Sequence, residues 1–200
     1  MSCRAVLALV VAGLAAGCGS DDSKTAKAPS PTPEATRSPR AASIVDRWEV
    51  RRTCQGMVDA LDQAGLRKIA PSVVGDYFPG EKPQQLARKA NVCQGAKPQQ
   101  HSHFFTEDGQ FGSLDQHEEQ VDDAPYRVVD DRTLRLGPEG EETYRYRIVR
   151  GNELTLEPVI AARLKREALA NPLKFSPAAH MAAVAYTGHA WQRVDCDGWC

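Results

Sequence analysis

From Gln100 onward, the chain alternates apolar with polar residues over short stretches that turn residues separate. Tyr144 to Ile148 and Leu154 to Leu156 carry an apolar side chain at every second position. That period of two is typical of a strand with one buried face. Asp108-Gly109 is a strong hairpin signal, and Gly151-Asn152 marks another turn. This part of the chain therefore predicts at least six antiparallel strands joined by sequential hairpins.

Three further strands are predicted outside this meander. Arg47 to Arg51 alternates charged with apolar residues, and Met181 to Tyr186 and Trp191 to Val194 are interpreted as two last strands. The sheet then has about eight or nine strands. Because closure removes the unpaired edges of such a sheet, we expect an antiparallel barrel.

Helical signals are confined to two regions. In an insert near 53–93, Thr53 is a candidate N-cap and Pro83 can begin a second short helix. Residues 71–80 between these helices are expected to be irregular. Another helix is expected near 159–170, where apolar residues recur on one face. The predicted fold class is mainly β with helical embellishments.

Three segments resemble the strand and turn order of lipocalin-like bacterial lipoproteins. They are Phe105 to Phe111, Tyr126 to Leu134 and Tyr144 to Leu156. The resemblance implies a cup-shaped barrel that holds one small apolar or amphiphilic molecule. It assigns no ligand-binding residue, since that family has no fixed binding motif. The composition, rich in Ala and Arg, also resembles that of uncharacterised lipoproteins of high-GC Gram-positive bacteria.

The first 17 residues have the pattern of an export signal. Arg4 precedes an apolar run from Ala5 to Ala16, which is shorter than the ~20 residues that cross a bilayer. The run ends in Leu14-Ala15-Ala16-Gly17-Cys18, which resembles a bacterial lipobox. This resemblance implies cleavage before Cys18, a diacylglycerol or palmitate anchor on its sulfur, and the extracytoplasmic face of the cell membrane. Simple secretion and a retained membrane anchor are the alternatives.

Residues 18–42 are expected to be a disordered tether. Four prolines lie there among Ser, Thr, Ala and Lys, without apolar periodicity. The predicted organisation is a lipoprotein signal peptide at 1–17, the lipidated Cys18 with its tether at 18–42, and a lipocalin-like β domain at 43–200.

The charge composition favours no particular class of partner. The chain has 25 Lys and Arg and 26 Asp and Glu, and the two signs are interleaved. Without a basic stripe, nothing favours nucleic acid as a partner. The expected contacts are the membrane, through the N-terminal lipid, and a small apolar ligand. No cofactor is implied, and a protein partner stays unknown.

The four cysteines of the predicted domain fit an oxidising compartment. Cys54, Cys93, Cys196 and Cys200 can form two disulfides in three pairings. We favour Cys54–Cys93 with Cys196–Cys200, because the turn dipeptide Asp197-Gly198 lies between the last two. A zinc site is the alternative, although closely spaced CxxC pairs are absent.

His101 and His103 are the weak candidates for a metal site. Residues two apart in a strand share a face, so both imidazoles could reach one ion. His117, Glu118 or Glu119 could complete the ligand set. The alternative is a pair of hydrogen-bonded rings or an exposed strand face.

No catalytic residue is assigned. A Gly-x-Ser-x-Gly motif is absent, and the neighbours in Asp122-Asp123 and Asp130-Asp131 would point to opposite faces of a strand. The favoured hypothesis is a non-enzymatic envelope lipoprotein that binds a small ligand or another envelope component. The alternatives are a metal-binding protein or hydrolase using His101 and His103, and an interaction module without a ligand. A barrel packed solid by tyrosines and leucines would exclude an internal ligand.

Overall fold

The computed structural model describes residues 43–78, 80–186 and 188–200. The predicted signal peptide at 1–17, the lipidation of Cys18 and the tether at 18–42 lie outside the described residues. In the described part of the chain, no helix has the length and apolar character needed to cross a membrane.

Eight antiparallel strands form a closed barrel, in which each strand pairs with the next and the last returns to the first. In chain order they are β1 (Asp46–Arg52), β2 (Gln99–Phe105), β3 (Gln110–Leu114), β4 (Gln120–Asp130), β5 (Thr133–Leu136), β6 (Glu142–Val149), β7 (Glu153–Pro158) and β8 (Trp191–Val194). The predicted mainly β class and the lipocalin-like barrel are confirmed.

The alternation of the sequence becomes the two faces of the barrel wall. In β1, Trp48 and Val50 are buried inside while Arg51 is exposed outside. Trp48 lies opposite His103 of β2, and Val50 lies opposite His101. The largest fully buried side chains include Trp48, Trp191, Tyr144, Tyr186, Phe105 and Phe111. Burial of these aromatic rings stabilises the barrel.

Five α-helices lie in the two long connections of the described chain. The β1–β2 connection holds α1 (Cys54–Gln63), a 3₁₀ turn (Arg67–Ile69), α2 (Ala70–Tyr77) and α3 (Pro83–Leu86); the β7–β8 connection holds α4 (Ala162–Ala170) and α5 (Pro177–Ala185). The hydroxyl of Thr53 accepts a hydrogen bond from the backbone N–H of Gly56, so the predicted N-cap of α1 is confirmed.

The strand predicted from Met181 to Tyr186 is wrong, because these residues belong to α5 and its C-cap. Ser176 caps this helix by accepting from the N–H of Ala179, and Pro177 occupies its first turn. A continuous apolar run carries no period that separates a buried helix from a buried strand. The five alanines of α5 favour the helix.

The helical insert also differs from its prediction. The expectation of an irregular segment at 71–80 is wrong for residues 71–77, which belong to α2: Pro71 lies in its first turn, and Val73 and Val74 pack into the core. The helix that begins at Pro83 ends after one turn at Leu86 and does not reach Cys93.

The C-terminal end of α5 packs against inward-facing side chains of the barrel. Nε2 of His103 lies 2.9 Å from the carbonyl oxygen of Val184, and Nε1 of Trp191 donates to the carbonyl of Ala185 over 3.3 Å. Tyr144 and Leu154 are fully buried in the same core. The space that could hold a ligand therefore lies at the mouth of the barrel.

The described part of the chain contains two disulfides, one in the helical insert and one near the C-terminus. Cys54 at the start of α1 is bonded to Cys93, with Cα atoms 5.6 Å apart, and Cys196 is bonded to Cys200. This is the pairing favoured from the sequence. The first bond fixes the helical insert to the end of β1, and the second closes a small ring near the C-terminus.

The ring containing Cys196–Cys200 lies against the outside of the barrel. Trp199 packs on Phe104, with ring centroids 5.2 Å apart, and the ring of Phe104 covers the position where a side chain at Gly112 would stand. Trp199 therefore covers Phe104, which is buried although it lies on the outer face of the wall.

Candidate ligand site at the barrel mouth

A cavity of about 410 Å³ opens where β1 ends and β2 begins. Its walls come from the ends of β1 to β4 together with α2 and α5. They include Arg52, Tyr77, His101, Ser113, Asp122 and His180. The wall is mainly polar, and Tyr77, Val121 and Val184 supply its apolar part. It is thus more polar than most small-molecule sites, which are lined chiefly by hydrophobic and aromatic side chains.

Arg52 is the unusual residue of this cavity. Its side chain is only 2% exposed, and its Nε and Nη2 atoms have no hydrogen-bond partner among the described residues. The guanidinium carbon lies 4.9 Å from the ring centre of Tyr77 and 6.0 Å from that of Tyr186. Desolvation by burial lowers the pKa of Arg52 to about 10, so the group is still charged at neutral pH.

The alternation of β1 places Arg52 inside the mouth. Trp48, Val50 and Arg52 share the inward face, and the strand ends directly before Thr53, the N-cap of α1. The N–H of Thr53 donates to the hydroxyl of Tyr186 over 2.7 Å. The position of Arg52 is thus fixed by the strand on one side and by this link to the end of α5 on the other.

His101 and His103 face the interior together, as their spacing predicts. Their ring centroids are 5.0 Å apart, and His103 stacks on Trp191 at 4.1 Å. Nδ1 of His103 lies 2.9 Å from the hydroxyl of Ser113. Since the carbonyl of Val184 can only accept, Nε2 carries the proton and Nδ1 accepts from Ser113.

Burial keeps both imidazoles neutral. Desolvation lowers the pKa of His103 to about 3 and that of His101 well below its usual value, and the charge of Arg52 acts in the same direction on both. His103 has both ring nitrogens engaged in hydrogen bonds, whereas His101 lines the cavity.

The proposed partners of a metal site do not meet these histidines. His117, Glu118 and Glu119 lie in the exposed β3–β4 turn, where Glu118 accepts from Nη2 of Arg47 over 2.7 Å. Within the described ranges, one group of three metal-ligating atoms comes together, formed by Asp46, Cys196 and Cys200. Its two sulfurs are already bonded to each other. The hypothesis of a metal held by His101 and His103 therefore has no complete ligand set in the described part of the chain.

Three carboxylates line the outer part of the cavity, namely those of Asp76, Asp115 and Asp122. Burial raises the pKa of Asp76. Asp115 accepts from the N–H groups of His117 and Glu119, and these bonds lower its pKa. The cavity thus combines a buried cation with a rim of acidic groups.

His180 of α5 connects the rim to the barrel wall. Its Nε2 lies 3.6 Å from a carboxylate oxygen of Asp122 and 3.7 Å from one of Glu142. The hydroxyl of Tyr144 donates to Glu142 over 2.6 Å, and burial is the main cause that raises the pKa of this carboxyl group. These contacts hold α5 at the mouth, beside the cavity.

No family model matches this chain, and no curated protein is similar to it at a significant level. The geometry of the cavity is therefore the main guide to the function of the protein.

Sequence reasoning missed Arg52, Tyr77 and His180 as site residues. Arg52 had one usable signal, because it stands at an inward position of β1 two residues after Val50. Tyr77 and His180 come from helices that the sequence did not predict, so no signal could place them beside the barrel.

Proposed function

We propose that this protein is a lipid-anchored binding protein of the bacterial cell envelope, which takes a small amphiphilic ligand at the mouth of its barrel. The observation that carries the proposal is the cavity of about 410 Å³ between the barrel wall, α2 and α5. Its volume suits a small ligand, and its wall offers apolar contact at Tyr77, Val121 and Val184 beside a larger number of polar groups.

The packed interior of the barrel determines where the ligand is proposed to bind. Because the aromatic core and α5 pack together, the ligand is proposed to bind at the mouth and not deep inside. This position differs from the enclosed cup that the family resemblance implies.

The envelope location is supported by the sequence and by the cysteines. The segment that ends at Cys18 resembles a lipobox, and the domain contains two disulfides, which persist in oxidising compartments. Radiolabelled palmitate supplied to the native host should label the chain, and Cys18→Ser should abolish the label. A labelled Cys18→Ser chain would contradict the anchor.

The binding function is tested with the full chain and the neutral fluorescent probe N-phenyl-1-naphthylamine. Val121 lines the cavity and is 58% exposed, so Val121→Trp should narrow the entrance without disturbing the core. Val129 lies on the same strand, is 49% exposed and is outside the cavity lining, so Val129→Trp is the matched control. We expect saturable binding that Val121→Trp weakens and Val129→Trp leaves unchanged.

Native mass spectrometry of the chain from its own host adds a second measurement. A co-purifying small molecule that Val121→Trp reduces would support the proposal. A chain without such a mass, which also fails to bind the probe saturably, would contradict it and favour the interaction module.

A further inference from the structure

We infer that the cavity at the barrel mouth recognises the single anionic group of an acid, a carboxylate or a phosphate monoanion, by seating it on Arg52. This inference deepens the proposed function and rests on it. It names the chemical class of the ligand from the buried charge of Arg52, whose Nε and Nη2 atoms have no hydrogen-bond partner among the described residues.

The guanidinium of Arg52 is buried without a full set of hydrogen-bond partners. Arg52 is almost completely buried, and two of its three nitrogens lack a hydrogen-bond partner in the described part of the chain. A buried polar group without a partner costs the full loss of its hydration, and a charged group costs more. An anion that enters the cavity would supply both the missing acceptors and the missing countercharge.

The neighbours of Arg52 are phenol and imidazole side chains. The ionisable groups that raise the pKa of Arg52 are the phenols of Tyr77 and Tyr186, and burial raises the pKa of Tyr77 itself to about 12. His101, on the same cavity wall, is kept neutral by burial and can offer a ring N–H. The inner end of the cavity therefore holds one positive charge and neutral donors.

The acidic rim restricts the anion further. Asp76, Asp115 and Asp122 line the same cavity, and Arg52 is the one arginine or lysine among its described lining residues. A ligand with a second negative charge would meet these carboxylates without a further fixed cation. The site is thus suited to a single acidic group with a neutral or cationic remainder that points outward.

A purely structural role makes a different prediction. As a clamp between the rings of Tyr77 and Tyr186, Arg52 would contribute a cation–π interaction to stability, and its removal would lower the melting temperature. As a binding group kept without a partner, Arg52 destabilises the empty protein. Arg52→Met, which keeps the length and apolar stem of the side chain, should then melt at the same temperature or higher.

The experiment compares ligands and variants of the full chain by calorimetric titration at constant ionic strength and at about pH 5.5, where octyl phosphate carries mainly one negative charge. The probes are octanoate, octyl phosphate, inorganic sulfate and octyltrimethylammonium. We expect octanoate or octyl phosphate to bind, and Arg52→Met to weaken that binding about 10- to 100-fold. The preference between these two probes identifies the acid.

Arg51→Met is the matched control, because Arg51 is the preceding residue of β1 and is exposed on the outer face. It should change the affinity for octanoate less than about twofold. Arg52→Lys, which keeps the charge but not the planar donors, should bind octanoate at an intermediate affinity. It also keeps the test decisive if Arg52→Met fails to fold.

The outcomes separate this inference from the proposed function. Binding of N-phenyl-1-naphthylamine that Val121→Trp blocks, without binding of either acid, would overturn the anion site and leave the proposed function intact. Acid binding that Arg52→Met and Arg52→Lys leave unchanged would overturn the role of Arg52. Tighter binding of sulfate or octyltrimethylammonium than of octanoate and octyl phosphate would contradict the preferred charge.

Discussion

The guanidinium of Arg193 lies over the indole of Trp48, 4.7 Å from the ring centre, where the last strand of the barrel pairs with the first. Arg193 also forms an ion pair with Asp46 over 2.9 Å and donates to the carbonyl of Ser43 over 2.8 Å. Nε1 of Trp48 donates to the carbonyl of Ile44. One arginine therefore ties the start of β1 to β8 and closes the barrel at the end remote from the cavity.

Arg193→Ala should lower the free energy of unfolding by about 2–4 kcal/mol, because it removes the cation–π contact with Trp48 and the ion pair with the partly buried Asp46. Urea unfolding followed by tryptophan fluorescence measures the change. The exposed Arg166 of α4 provides the control, and Arg166→Ala should stay within about 0.5 kcal/mol of the parent. Equal effects of the two substitutions would show that Arg193 does not hold the closure.

The two disulfides should contribute unequally to stability. Cys54 and Cys93 are separated by 39 residues and Cys196 and Cys200 by 4, so the first bond restricts the unfolded chain more. Replacing Cys54 and Cys93 together by Ala should cost roughly 3–4 kcal/mol on the chain-entropy model. The same replacement at Cys196 and Cys200 should cost less in the same urea experiment. The reverse order would argue that strain or packing outweighs loop entropy.

Stability should decrease in acid because of His103. Its folded pKa is lowered to about 3, whereas an unfolded histidine titrates near 6.5. Below pH 6.5 the unfolded state thus binds a proton that the folded state excludes. The free energy of unfolding should fall by up to ~1.4 kcal/mol per pH unit for this group, down to about pH 3. The lowered pKa of His101 adds to the effect in the same direction.

His103→Gln isolates that contribution, since an amide can donate to Val184 and accept from Ser113 without titrating. Urea midpoints between pH 7 and pH 4 should depend less steeply on pH in this variant. His117→Gln in the exposed β3–β4 turn is the control and should keep the slope of the parent. Parallel curves for His103→Gln and the parent would mean that His103 is not the group that senses acid.

Gly112→Ala should disturb the outer face of the barrel. A methyl group at this position would overlap the ring of Phe104, which must move and take Trp199 with it. We expect a loss of about 1–3 kcal/mol in unfolding free energy and a red shift of tryptophan emission. Phe104→Leu in the same chain should recover part of the loss, because it removes ring atoms from the crowded space. A Gly112→Ala protein as stable as its parent would show that the ring of Phe104 is free to yield.

Strands were predictable wherever the two faces of the wall differ in polarity. Leu154 and Leu156 are buried while their neighbours are partly exposed, and the turn at Gly109 has the positive φ of 87° that glycine favours. The alternation therefore carried enough information to predict the meander and the barrel.

Helix α5 was not predictable by the same reasoning, because it is buried on nearly all sides. From Ala178 to Ala185 every residue except His180 is buried, so no polar face marks a helical period. Helix α5 brings His180 and Val184 to the cavity. Because residues 181–186 were predicted to form a strand, these two residues could not be assigned to the site.

The candidate site was predictable only in part. The shared face of His101 and His103 followed from strand geometry, but their partners depended on the packing of α5 onto the barrel. Arg51 and Arg52 are chemically alike and adjacent, and only the inward register of β1 separates a surface charge from a buried one.

The direction of β1 bears on how the protein meets its surroundings. Ser43 lies just ahead of the strand and Arg52 ends it, and a seven-residue strand is roughly 20 Å long. Ser43 and the entrance of the cavity therefore lie near opposite ends of this strand. Coupling the protein to a sensor surface through its N-terminal segment should therefore leave that entrance unobstructed, whereas coupling through lysines near α2 and α3 should not.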